Sequence, residues 1–153
     1  MLFVLFVDEI EFTLMETLQT FFTSDLSLWG LFISSFLAAT LLPGGSEAVL
    51  FGVLKLHPEL FWPALLLGSL GNTLGGMVTF GMGWMLPQTQ QLKHVEKVRV
   101  YGTPALLLAW VPLIGDALCL AAGWLRLNWW RAALFMAIGK FARYGVIAAA
   151  ANF

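Results

Sequence analysis

Four long apolar stretches, roughly residues 28–56, 60–86, 103–127 and 129–152, dominate this chain, and two of them are broken near the middle, by LLPGGSE at 41–47 and by VPLIGD at 111–116. Every stretch is long enough to enter a bilayer whose apolar core is about 30 Å thick. Proline removes an amide donor and glycine loosens the backbone, so each broken stretch should form two half-helices, with Pro43, Gly44 and Gly45 at the first break and Pro112 and Gly115 at the second. At about 1.5 Å per residue, 28–42 reaches roughly 22 Å, 46–56 roughly 16 Å and each part of 103–127 about 14 Å, so no half crosses alone. Composition agrees: 59% of the 153 residues are hydrophobic and 11% charged, which excludes disorder and argues against a soluble domain.

Length leaves open whether each pair of halves is a broken span or a re-entrant hairpin; the placement of Lys and Arg separates the two. If both fold back, Lys93, Lys97, Arg99, Arg126 and Arg131 share one face and Lys55 stands with acids on the other. If both span, the cations divide evenly. Cytoplasmic loops collect Lys and Arg, so the hairpin topology orients the protein, with the polar linker 87–102 in the cytoplasm. Insertion in both orientations stays open at so small a charge difference. The first run, MLFVLFV, lacks a positive n-region and a cleavage site, so it does not read as a signal peptide. Phe3, Phe6, Ile10, Leu14, Leu18 and Phe21 recur every three or four residues, which predicts an amphipathic helix lying along the membrane within residues 1–26.

An internal repeat supports this division. Pro43 to Glu47 and Pro112 to Asp116 share one offset, and Trp62 and Trp130 each stand nine residues before a glycine, Gly71 and Gly139. Two copies follow, about 27–86 and 103–152, each a hairpin and a spanning helix. Because each copy crosses once, the copies must be inverted, an arrangement that brings half-helix ends to a cavity near the bilayer midplane. The expected fold is thus an all-α integral membrane protein of two inverted repeats filling 27–153, plus the N-terminal amphipathic helix.

Glu47, Asp116, Lys140 and Arg143 lie inside apolar stretches, where an ionisable group costs at least ~2.5–3.5 kcal/mol unless paired, hydrated or neutralised. The two acids fall in first turns after the breaks, where the helix dipole favours a carboxylate; they either cap those helices or serve a cavity. Lys140 and Arg143, three residues apart, share a face too deep for easy snorkelling. They either pair with Glu47 and Asp116 as a fixed network or bind a phosphate, Arg143 as a fork and Lys140 as a point charge, while a carboxylate exchanges protons. Asn72 occupies the repeat position of Lys140 and is expected at the same cavity. The glycines of GNTLGG (71–76) read first as close helix packing.

Several function classes drop out. Eight Lys and Arg against nine Asp and Glu leave no basic surface for nucleic acid. Cys119, the one cysteine, precludes an internal disulfide and reads as a buried small hydrophobe. His57 and His94 stand alone in polar loops, so no metal site or cofactor is expected. Ser34, Ser35, Ser46 and Ser69 have no embedded histidine to activate them, which argues against nucleophilic catalysis and an enzyme. Trp29, Trp62, Trp84, Trp129 and Trp130, near segment ends, suit membrane-interface anchors.

LLPGGSEAVLFG, GNTLGG, WVPLIGDALCLAAGWLRL and GKFARYG together resemble the YqaA-like branch of the DedA superfamily, bacterial inner-membrane proteins with the VTT-type domain, over about residues 27–148. The resemblance implies facing re-entrant hairpins, each followed by a spanning helix, and movement of lipids between leaflets, in some relatives dependent on the proton-motive force. Glu47 matches the acid of the family's first hairpin. The chain departs at the second, where typical members carry arginines around the proline and this chain has Trp110 before Val111 and Pro112, with Asp116 after. The expected function is a multi-pass inner-membrane lipid translocator for an anionic or phosphate headgroup, with membrane lipids and protons as partners. A non-transporting scaffold and a proton-coupled transporter of a small solute are the alternatives, and a homo-oligomer stays open.

Overall fold

A computed structural model describes residues 24–40, 45–88, 102–111 and 114–152. The amphipathic helix expected within residues 1–26 falls outside the described residues up to position 23, and Ser24, Asp25 and Leu26 belong to the next helix; Pro43, Gly44, Pro112 and positions 89–101 of the polar linker also lie outside them. The described residues form helices and short connections, with no strand among them. Helix α1 is Ser24–Thr40, α2 Ser46–Leu56, α3 Phe61–Met85 after a 3₁₀ turn at Pro58–Leu60, α4 Ile114–Trp124 and α5 Trp129–Ala151; a helical turn at 102–105 runs into the 3₁₀ segment Leu106–Trp110 ahead of α4.

The two uninterrupted apolar stretches became the two long helices. Pro58–Met85, which is the 3₁₀ turn with α3, and Trp129–Ala151, which is α5, have the length and hydropathy to cross a membrane. Gly45, just before α2, takes φ 111°, a backbone conformation that side chains rarely adopt, so α2 is entered through a glycine. Between α4 and α5, Asn128 caps α5 by accepting from the amides of Trp130 (3.1 Å) and Arg131 (3.2 Å).

Helix α3 is built inside out. Leu66, Leu70, Leu74, Val78 and Met82, four residues apart, are exposed, whereas Gly68, Gly71, Asn72, Gly75, Gly76, Thr79 and Gly83 face inward. Water would not support that arrangement; in lipid, large apolar residues outside and small ones at helix contacts are what packing demands. At the α3–α4 crossing, Gly83 lies under the Leu120 carbonyl and Gly123 under the Phe80 carbonyl, so a methyl group on either would strike backbone. The five interface tryptophans of the sequence, Trp29, Trp62, Trp84, Trp129 and Trp130, are all exposed.

Two apolar clusters form the interior. One gathers Leu31, Leu50, Leu54, Leu65, Tyr144 and Ala148; the other gathers Phe80, Leu106, Ala109, Cys119, Ala132 and Met136. Along both α3 and α5 the polar pair Asn72 and Lys140 falls between the residues of the two clusters. The packing recurs between the halves: α1 lies on α3 as the 106–110 segment lies on α5, and α2 lies on α5 as α4 lies on α3.

Candidate functional site

The breaks deliver two carboxylates to α5. Gly45 starts α2 without any side-chain cap, and Glu47 stands in the first turn of α2. Its carboxylate forms an ion pair with the Arg143 guanidinium, the two side chains 28% and 16% exposed. Both line a cavity of about 510 Å³ whose other walls are Trp110, Ala142, Val146 and Ile147. Among the described lining residues the pair is the polar feature and the others are apolar.

One turn earlier on α5, Lys140 turns inward. Its side chain is 1% exposed, and Nζ donates to the Asn72 main-chain carbonyl at 2.8 Å. Asp116, in the first turn of α4, brings Oδ1 to 4.0 Å from Nζ and keeps its side chain 37% exposed. Gly76 makes the room: a Cβ there would sit 2.9 Å from Nζ. The Asn72 side chain continues the network, Nδ2 donating to the Ser35 carbonyl and to the Tyr144 hydroxyl, each at 3.2 Å. The Tyr144 hydroxyl donates in turn to Ser35 Oγ at 3.1 Å. Within this network Lys140, Asn72, Tyr144 and Ser35 each have a partner, the condition for tolerating them in a low-dielectric interior.

The four charged residues singled out in the sequence therefore meet in two places. Residues three apart on a helix differ by about 60° in direction, enough here to send Arg143 toward α2 and Lys140 toward α3. Glu47 and Arg143 line the cavity. Lys140 and Asn72 are absent from its lining and tie α5 to α3. Of the break residues, Gly45 carries the positive φ, and Gly115 packs against the Ala109 carbonyl. Tyr144, Ser35 and the Trp110 wall were not anticipated as site residues. Tyr144 had a signal, a hydroxyl one turn beyond Lys140 on the same apolar helix; Ser35 had none, because its role depends on where α1 crosses α3. His57 Nδ1 meets Glu59 Oε1 at 3.1 Å on the surface, and the described residues hold no cluster of three metal-ligating side chains.

Comparison with known proteins adds to this geometry. No family model matches the chain, and no solved structure does. Inner membrane protein YqaA of Escherichia coli strain K12 is 43% identical over 129 residues, covering 82% of this chain and 91% of the relative, and the protein of the same name from Shigella flexneri matches equally. The chain belongs to the YqaA-like branch of the DedA superfamily. An uncharacterized protein of Haemophilus influenzae is 40% identical over 148 residues, covering 82% of this chain and 90% of the relative. With relatives named inner membrane proteins and two helices of spanning length and hydropathy, this YqaA family member is a membrane protein.

Proposed function

We propose that this YqaA family member moves a phosphate-headgroup lipid between the leaflets of the inner membrane. The observation that carries the reading is an ion pair, Arg143 with Glu47, lining a cavity of about 510 Å³ whose other described lining residues are apolar, because an amphiphile needs a charged contact and an oily wall side by side. A guanidinium matches a phosphate as a fork, and Glu47 competes for that same fork. Protonation of Glu47 releases Arg143 to the phosphate and deprotonation expels it, which couples lipid movement to protons. Lys140 and Asp116 form a second pair that is absent from the described lining of the cavity.

The topology that accompanies this function is a pair of inverted repeats, each a re-entrant hairpin followed by a span. The recurrent order of elements supports it, as does the like packing of the two halves. So does the hydrogen bond from Lys140 Nζ to the Asn72 carbonyl, which joins residues at equivalent repeat positions, as a twofold axis between α3 and α5 would require.

The test is purified protein in liposomes carrying a fluorescent phospholipid, with leaflet exchange read by dithionite quenching. The wild type exchanges lipid, while Arg143→Ala and Glu47→Gln, each still monodisperse on gel filtration, fall to the rate of protein-free vesicles. Wild-type exchange by both variants overturns the proposal. No exchange by the wild type, together with a stably co-purifying protein, favours a scaffold, and uptake of a radiolabelled solute into the same liposomes favours the solute transporter.

A further inference from the structure

A second groove, of about 490 Å³, runs between α3 and α5, lined by Leu66, Leu70, Thr73, Ile138 and Phe141 among others. Ala142 belongs to its lining and to that of the Arg143 cavity, so the two hollows adjoin across α5. The saddle between them is low: beside Ala142, Gly145 has open space where a side chain would project. Elsewhere α5 carries large exposed residues, Leu134, Ile138, Phe141 and Val146. The groove also holds an unusual polar atom. Ser69, 6% exposed and part of the lining, has a hydroxyl without a hydrogen-bond partner among the described residues, while its own carbonyl accepts from Thr73 Oγ1 at 2.7 Å. An orphaned buried hydroxyl costs free energy until something completes it.

We propose that the α3–α5 groove is the acyl-chain subsite for the lipid whose phosphate engages Arg143, with the lipid straddling α5 at Ala142 and Gly145 and an ester carbonyl accepting a hydrogen bond from Ser69 Oγ. This rests on the lipid reading of the Arg143 cavity and extends it from headgroup to tail. Continuity with that cavity selects an acyl chain over a partner helix, because one amphiphile fills both hollows and a helix in the groove would leave the charged cavity unaddressed. Since bilayer tails are as apolar as the groove, burial supplies little net affinity there. The groove fixes where the chain lies, and Ser69 supplies the directed contact.

The experiment uses phosphatidic acid with a photoreactive diazirine on one acyl chain, in phosphatidylcholine liposomes containing the full-length protein, with labelled positions mapped by peptide mass spectrometry. Labelling concentrates on residues 66–73 and 137–142, falls by about five-fold in Ser69→Ala, the loss of one hydrogen bond, and disappears from these segments in Ala142→Trp, which closes the saddle. Gly145→Leu closes it from the next turn, so the result stands if one variant misfolds. Labelling spread evenly over the lipid faces of all helices, or unchanged when the saddle is closed, overturns the subsite. Binding is read without transport, so the two proposals fail separately: groove labelling that depends on Arg143, in protein that exchanges no lipid, supports the subsite and removes the translocation reading. Exchange lost in Arg143→Ala and untouched by both saddle variants removes the subsite alone.

Discussion

Lys140 carries an ammonium whose side chain is 1% exposed, with Asp116 Oδ1 at 4.0 Å, and this geometry makes an asymmetric prediction. Two unit charges at that distance attract by about 4 kcal/mol at an effective dielectric constant of 20. The Asp116 side chain is 37% exposed, so water screens the pair, and about 2 kcal/mol is the figure to test. Asp116→Asn removes that attraction and leaves a buried cation, and should cost about 2 kcal/mol. Lys140→Met keeps most of the volume, removes the cation and its desolvation, and strands no acceptor, because a helix amide already serves the Asn72 carbonyl. It should therefore be neutral within about 1 kcal/mol, or stabilising. In the double variant Asp116→Asn adds nothing to Lys140→Met. The assay is equilibrium unfolding in mixed micelles, followed by tryptophan fluorescence and combined in a double-mutant cycle. A loss above about 2 kcal/mol in Lys140→Met, or a neutral Asp116→Asn, would refute the idea that Asp116 is present to hold a buried charge.

Three further outcomes follow from the same geometry. Glu47→Gln and Arg143→Gln should each destabilise the fold by about 2–4 kcal/mol and the double variant by clearly less than their sum, because each single change strands a partly buried charge; additive losses would show that the pair is not coupled. Gly123→Ala should cost about 3 kcal/mol or more, since its methyl group would run into the Phe80 carbonyl at the α3–α4 crossing, and a melting temperature equal to wild type would contradict that crossing. Asn128→Ala removes the cap on α5 and should cost about 1 kcal/mol, whereas Asn128→Ser should recover most of it in the same unfolding assay.

The order of residues along the chain is enough to specify the class of the protein and the segmentation of its helices. Hydropathy over a stretch is a local property, so the uninterrupted runs announced α3 and α5, and proline with glycine announced the breaks at Gly45 and ahead of α4. That Glu47, Asp116, Lys140 and Arg143 interrupt apolar runs was legible for the same reason: a charge inside an apolar run is visible without knowing what surrounds it. Which charge meets which was not. Lys140 and Arg143 share a helix face by spacing, yet a difference of about 60° around α5 becomes a choice between neighbours only when α2 and α3 are in place. Tertiary structure alone decided that Glu47 and Arg143 line a hollow while Lys140 is sealed against Asn72 and Gly76, that Ser35 and Tyr144 complete the buried network, and that Ala142 joins two grooves. Those are contacts between residues 24 to 109 positions apart, or properties of empty space, and no local pattern encodes either.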